Sequence, residues 1–586
     1  MAASQATHAR HAVRAGGIAA ALLTAKTLAL AVHGVTPGAL DLLALGWQDA
    51  LVALVFWAAD ALLRRPRWLW IPYVAMIAYI AVNAAVVHTL GAPLTITMIR
   101  AAGGALADSI GAALTAGAAI SIALIVAAGA AGPRLASMLP RALRVLAVCA
   151  GVLVVIAGSL TSRAIESGGL GRNAFTSLTA TFAARVVAAP STMDHRASPF
   201  GDRSGEGMAE LRGLAAGRNV LLVGLESTAA RYLAPYGAPD DPTPAVTALA
   251  RESIVFDAAY AAYPESVKGL FAVLCAAAPA IDVEAEAHAN APCDSVVHRV
   301  ARAGYRTALL HAGRFTYLGM QPVMDMHRFD GTFDAAAISG RVQSSFGVDE
   351  PAVVEKLLAW IDDEPRGKPF FAVYLPAAGH HPYLSNGGPF SGDTDLGAYK
   401  NAIHEGDRAL GTLVDGLRRR GLLDQTLIVI YGDHGEAFDQ HPGNRAHSLY
   451  IYDENVRVPL IIRVPGTPAG AVRRVPQVAS VIDIGPTIVD LLGLPGEATA
   501  QGSSLLRSRE RMALFHADYA SGWLGLRDRC WKYVYEIDAA RGRLYDVCLD
   551  PDETRDLASD HRARVETYRD HLLSWSAARR HAIVGK

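Results

Sequence analysis

The run Ile428-Val429-Ile430-Tyr431, followed at once by Gly432-Asp433-His434-Gly435-Glu436, decides how this chain is read. Apolar residues without polar alternation fit a strand covered on both faces. The turn that ends it is rich in metal-ligating side chains. Gly-Asp-His-Gly is also ordinary turn chemistry, so the motif alone says little. Two further strands of the same kind give it weight. Leu221-Leu222-Val223-Gly224-Leu225 runs into Glu226-Ser227-Thr228, and Phe370–Leu375 runs, past Pro376, into Gly379-His380-His381-Pro382. Ligands of open parallel sheets gather at the carboxyl ends of the strands. Three strands delivering carboxylate or imidazole groups to that edge predict one converging site. Further apolar runs at 305–311 and 458–464 alternate with helical patterns at 353–362 and 401–419, which predicts an α/β unit with a largely parallel sheet.

Composition adds a second unit. The 586 residues exceed one hydrophobic core. Charged residues make up 19% and apolar ones 52%, with a mean hydropathy of +0.23. The excess lies in the first 160 or so residues, where five apolar stretches (15–35, 43–63, 68–90, 110–131 and 143–160) each approach the ~20 residues that cross a bilayer. Basic residues alternate between the connections: Arg10 and Arg14, then none, then Arg64, Arg65 and Arg67, then Arg100 alone, then Arg134, Arg141 and Arg144. The positive-inside rule places the N-terminus in the cytoplasm and, after five spans, everything beyond about 162 outside it. Lys26 and Asp49 lie within or near spans, where snorkelling or mutual pairing is expected. A net charge of -1, from 54 basic and 55 acidic residues, argues against a nucleic-acid partner. Of five cysteines, Cys149 falls in the fifth span and four in the second half. Four cysteines allow three connectivities; proximity favours Cys275 with Cys293 and Cys530 with Cys548.

The converging side chains suit one divalent cation with mixed oxygen and nitrogen ligands, Mn²⁺ or Mg²⁺ before Zn²⁺. Glu226 and Asp433 offer anionic oxygen and His434 imidazole. Ser266, in Tyr263-Pro264-Glu265-Ser266-Val267-Lys268-Gly269, is the candidate nucleophile. It is expected at the N-cap of a helix over 267–276, with Lys268 in the first turn holding a phosphate or sulfate oxygen.

These motifs, with the 441–459 stretch containing His447 and Val456-Arg457-Val458-Pro459, resemble the sulfatase-like branch of the alkaline phosphatase superfamily over about 219–558. With five spans in front, the layout is similar to membrane-anchored lipoteichoic acid synthases and phosphoglycerol or phosphoethanolamine transferases. The resemblance implies an α/β sandwich behind the helical bundle, with a small antiparallel C-terminal subdomain. It divides the chain into 1–162, a juxtamembrane linker 163–217, a catalytic domain 218–510 and a subdomain 511–586. It implies Glu226, Asp433, His434 and Ser266 as metal ligands, Ser266 as the attacking residue, His380 as a substrate contact, and His447 as a contact to substrate or to a second metal. Serine stands where the transferase branches usually carry threonine. The Cys/Ser-x-Pro-x-Arg sequence that sulfatases convert to formylglycine is absent, because Val267, Lys268, Gly269 and Leu270 follow Ser266. The resulting expectation is a multi-pass enzyme of the cytoplasmic membrane with its catalytic domain on the extracytoplasmic side. It would transfer a phosphoglycerol-type group from a phospholipid donor to a glycan or lipid acceptor through Ser266. The alternatives are phosphoethanolamine transfer, hydrolysis of sulfate or phosphate esters, or a non-catalytic receptor or scaffold.

Overall fold

Strand β1 (Asn219–Leu225) sits near the centre of a nine-stranded sheet in a computed structural model of the chain. The model describes residues 13–63, 68–101, 110–111, 113–162, 165, 169–180, 193–201, 204–205, 207–340, 346–364, 367–467, 473–496 and 501–585. Arg10, the basic 64–67 connection and parts of the 163–217 linker lie outside them.

The other strands of this sheet are β2 (Ile254–Tyr260), β3 (Arg306–His311), β4 (Gly331–Phe333), β5 (Phe370–Leu375), β6 (Thr426–Gly432), β9 (Arg457–Val458), β10 (Leu460–Arg463) and β11 (Arg474–Ser480). A separate two-stranded ribbon, β7 (Ala437–Phe438) with β8 (Arg445–Ala446), stands between β6 and β9 in the chain. The order in the large sheet is β11-β2-β10-β6-β1-β5-β3-β4, with β9 beside β2. β1 pairs in parallel with β5 and β6, and β3 with β4 and β5. Alternate residues feed opposite faces. Val220 and Leu222 pack with Leu270 and Phe271 of one helix, whereas Leu221 and Val223 pack with Leu357 and Leu413 on the other side. Helices on both faces explain why the central strands carry no polar alternation.

The expected strand over 458–464 is corrected: it divides at Pro459 into β9 and β10 and runs antiparallel to β2 and β6. Proline lacks the N–H that a continuous ladder needs. β2 and β11 escape the sequence reading. β11 contains Pro476 and slips register between Val475 and Val478, which hides its strand pattern.

A second, antiparallel sheet comes after these elements: β12 (Ala513–Ala517), β13 (Trp523–Asp528), β14 (Trp531–Glu536) and β15 (Arg541–Asp546). A long terminal helix over Arg562–Val584 closes it, burying Tyr568, Leu572 and Trp575. Both favoured disulfides are formed, Cys275–Cys293 and Cys530–Cys548.

Five helices long and apolar enough to cross a membrane precede the sheets: α1 (Val13–Val32), α2 (Ala39–Leu63), α3 (Trp70–Leu90), α4 (Ala116–Met138) and α5 (Arg141–Thr161). Leu62, Ile71 and Leu153 face outward, each more than half exposed, as lipid contact requires. Glycines let α1 and α4 approach: a Cβ on Gly132 would lie 2.6 Å from Gly17 Cα. Lys26 and Asp49 pair with each other at 3.3 Å, and Arg14 with Asp60 at 2.8 Å. Arg14 and Asp60 mark one end of the bundle. The opposite end carries the sheet domain: Thr95 Oγ1 donates to Tyr519 O at 2.9 Å, and Tyr450 OH accepts from Gly169 N at 3.0 Å.

Candidate active site

β1 and β6 are register-matched neighbours, Leu225 facing Gly432. Their ends therefore release Glu226 and the Asp433–His434 pair side by side. Asp433 Oδ1 accepts from Ser227 N (2.9 Å) and His434 N (2.7 Å), locking the two turns together. Ser227 sits in the left-handed region at φ 52°, a costly conformation for a residue with a Cβ.

The helix bearing the candidate nucleophile is α6 (Ser266–Cys275). Here the structure corrects the expected cap. Glu265, extended and buried, is the N-cap, and its carboxylate accepts from Val267 N (2.7 Å) and Lys268 N (3.3 Å). Ser266 is the first helical residue, so its hydroxyl is released from capping. It donates to Glu226 Oε2 at 2.9 Å and lies 3.4 Å from His434 Nε2.

Glu226, Asp433 and His434 each present a ligand atom within 4.8 Å of the others, and all three are buried. His434 Nε2 is 3.6 Å from both Glu226 Oε1 and Asp433 Oδ2. His434 Nδ1 faces the Gly435 carbonyl at 3.0 Å. A carbonyl only accepts, so Nδ1 carries the proton and Nε2 turns its lone pair to the centre. Burial holds this imidazole below its ordinary pKa. Burial, then the neighbouring Asp433, pushes Glu226 well above the usual carboxylate range. Two converging buried carboxylates, a neutral imidazole and a hydroxyl form a donor set that fits a divalent cation.

A second group adjoins the first. His447 Nδ1 donates to Glu436 Oε2 at 2.5 Å, and Tyr383 OH donates to Glu436 Oε1. The His447 and His434 rings are 4.1 Å apart. Burial would lower His447, but the Glu436 charge and hydrogen bond outweigh it and hold its pKa up. Burial also opposes ionisation of Glu436, yet His447 keeps that carboxyl low. His380 stacks on Phe346 at 3.8 Å, and burial, followed by the His447 charge, takes its pKa down to about 3. The structure thus brings Glu226, Ser266, Asp433, His434 and His447 together, with His380 behind Phe346 and Tyr317. It gives Lys268 a protein partner instead: the ammonium is 3.3 Å from Asp518 Oδ1 and 4.3 Å over the Tyr263 ring. Sequence reasoning misses Glu265, Glu436 and Tyr383 as supports. The first two are visible as acids flanking Ser266 and His434; Tyr383 gives no signal.

Residues 218–494 match the sulfatase family model. Arylsulfatase K of Bos taurus is 32% identical over 174 residues, 26% of this chain and 32% of that protein. The lipoteichoic acid synthase-like protein YvgJ of Bacillus subtilis is 25% identical over 323 residues, 51% of each chain. The chain thus spans only a third to a half of the length of these relatives. A solved protein of the alkaline phosphatase superfamily from Vibrio parahaemolyticus superposes with a TM-score of 0.53 at 18% identity, covering 71% of this chain and 97% of its own. Behind its five apolar helices, the chain is similar to the sulfatase family over residues 218–494 and shares its fold with this solved protein.

Proposed function

We propose that this protein is a membrane-anchored, metal-dependent transferase that moves a phosphoglycerol-type group from a phospholipid to an extracytoplasmic glycan or lipid acceptor. The observation that carries this reading is where the candidate site lies. The loop after Glu436 rests on the apolar bundle: a Cβ on Gly91, at the end of α3, would come within 3.0 Å of Gly443 O. Tyr450 contacts Gly169, and Tyr519 contacts Thr95, on the same side. A hydrolase of soluble esters gains nothing from that closeness; an enzyme that takes a lipid headgroup needs it.

Glu226, Asp433, His434 and Ser266 would hold a divalent cation, manganese or magnesium before zinc, which when bound favours the serine alkoxide and offsets phosphate charge. Ser266 Oγ attacks phosphorus, losing its proton. The phosphorus bond to the diacylglycerol oxygen breaks, and diacylglycerol leaves with a proton. The group stays on Ser266 as a phosphodiester until an acceptor hydroxyl attacks and restores the serine. His447, its pKa held up by the Glu436 charge and hydrogen bond, suits a phosphoryl oxygen or the departing alkoxide. The bundle end bearing Arg14 would face the cytoplasm and the sheet domain the oxidising outside, where two disulfides persist.

The test incubates purified protein with Mn²⁺ and labelled phosphatidylglycerol. Release of diacylglycerol that stops with Ser266→Ala is the expected result. Turnover of phosphatidylethanolamine instead would move the assignment to that headgroup. The identity with arylsulfatase K favours a second reading, ester hydrolysis. Against formylglycine chemistry stands the Ser-Val-Lys-Gly-Leu sequence at 266–270. Multiple turnover of nitrophenyl sulfate without lipid turnover would favour the hydrolase.

A further inference from the structure

We infer that Asp518 is the positioning residue of Ser266, and that the turn carrying it, 518–520, takes its place from the apolar bundle. The inference rests on the proposed role of Ser266. Asp518 comes after β12, some 250 positions beyond the nucleophile in sequence, and is buried. Its carboxylate gathers three groups around the start of α6. Tyr263 OH donates at 2.5 Å, Lys268 Nζ at 3.3 Å, and Asp282 N at 2.6 Å. Tyr263 and Lys268 flank Ser266 on either side in the chain, and the Lys268 ammonium also caps the Tyr263 ring at 4.3 Å. Glu265 ties down the backbone at Val267 and Lys268 from within the same loop. Glu265 fixes where the helix begins, and Asp518 fixes the helix sideways against the second sheet.

The two residues after Asp518 are held by the other half of the protein. Tyr519 O accepts from Thr95 Oγ1 at 2.9 Å; Thr95 is fully buried in the connection between α3 and α4. Ala520 O accepts from Arg172 NH1 at 2.8 Å, and Arg172 also pairs with Asp538, which accepts from Gly522 N at 3.1 Å. Arg172 O in turn accepts from Lys26 Nζ of α1 at 3.3 Å. Hydrogen bonds from the bundle therefore hold the 518–520 turn, whose Asp518 in turn holds Tyr263 and Lys268, three residues before and two after Ser266. A buried charge pair with several partners is a device for fixing geometry more than for adding stability. Reaction rates are steep in that geometry: a nucleophile displaced by 1 Å costs about 100-fold.

The test uses the full chain in detergent micelles with Mn²⁺ and the soluble probe bis-nitrophenyl phosphate. It reads kcat and KM, the mass of the Ser266 peptide and the melting temperature. Asp518→Asn, which keeps an acceptor for Tyr263 but loses the charge opposite Lys268, should lower kcat about 100-fold with KM within about twofold. Asp518→Asn with Lys268→Met removes the uncompensated buried charge, so the melting temperature should return towards wild type. The Ser266 adduct should still form slowly in that double variant. Recovery of kcat together with melting temperature would show a merely structural pair and overturn the inference. Thr95→Val, which removes the hydrogen bond to Tyr519 O along with the one accepted from Met98 N, should lower kcat about fivefold, the worth of the Tyr519 bond. An unchanged kcat there would overturn the link to the bundle. Ser266→Ala separates the underlying reading: undiminished turnover in that variant would sink the serine assignment, and with it any role in placing it.

Discussion

Replacing Glu265 by alanine tests why the hydroxyl of Ser266, the proposed nucleophile, is free of capping. The Glu265 carboxylate satisfies two N–H groups of the first turn of α6, at 2.7 and 3.3 Å, that have no partner within the helix. Their loss costs about 1 kcal/mol, within the usual range for an N-cap, and should lower the melting temperature by about 2–4 °C. The larger effect is on chemistry. Serine is itself a strong N-cap, so without Glu265 the nearest substitute is the Ser266 hydroxyl. It would turn from Glu226 towards its own helix, an excursion of an ångström or more that costs about 100-fold in rate. Glu265→Asp keeps a good cap and should hold both stability and rate close to wild type. The assay is the pre-steady-state burst of nitrophenolate from bis-nitrophenyl phosphate, beside a thermal melt. A Glu265→Ala protein that loses the few degrees but keeps its burst rate would refute the division of labour between cap and nucleophile.

The same geometry has other consequences. Asp433→Asn removes one anion from the donor set and a bridge between the β1 and β6 turns, so metal content after dialysis should fall from about one ion per chain to near zero; retention of the ion would contradict the ligand assignment. Glu350 is buried, and desolvation raises its pKa from 4.5 to about 7. A raised carboxyl binds its proton more tightly when folded, so its unfavourable ionisation should erode stability as pH rises from about 4.5 to about 7. Glu350→Gln should flatten the melting temperature across that window; an unchanged slope would exclude Glu350 as its source. The Cys530–Cys548 bridge closes a loop with a sequence separation of 18, worth about 3 kcal/mol by loop entropy. The double serine variant should melt several degrees lower with kcat unchanged, since that hairpin contributes no group to the site.

Much of this is legible in the chain because parallel strands impose a simple rule. Three uninterrupted apolar runs must be covered on both faces, and the turns at their carboxyl ends must meet at one edge. Glu226, Asp433 and His434 emerge from that rule alone. The apolar bundle is equally plain, since nothing but lipid accommodates five such runs. Elsewhere local competition hides the outcome. Ser266 resembles a cap because serine commonly is one, yet the preceding Glu265 outcompetes it with two carboxylate oxygens. Lys268 looks available for substrate because its partner Asp518 lies in another sheet, and no local pattern announces an ion pair of such long range. β11 is concealed because Pro476 and a register slip disguise its period.

The most direct measurement is the mass of the tryptic peptide containing Ser266 after brief exposure of the manganese-loaded protein to phosphatidylglycerol, quenched in acid. A mass gain equal to a glycerophosphoryl group, mapped to Ser266 and absent from Ser266→Ala, is the predicted result. An unmodified serine in a preparation that is releasing diacylglycerol would contradict it.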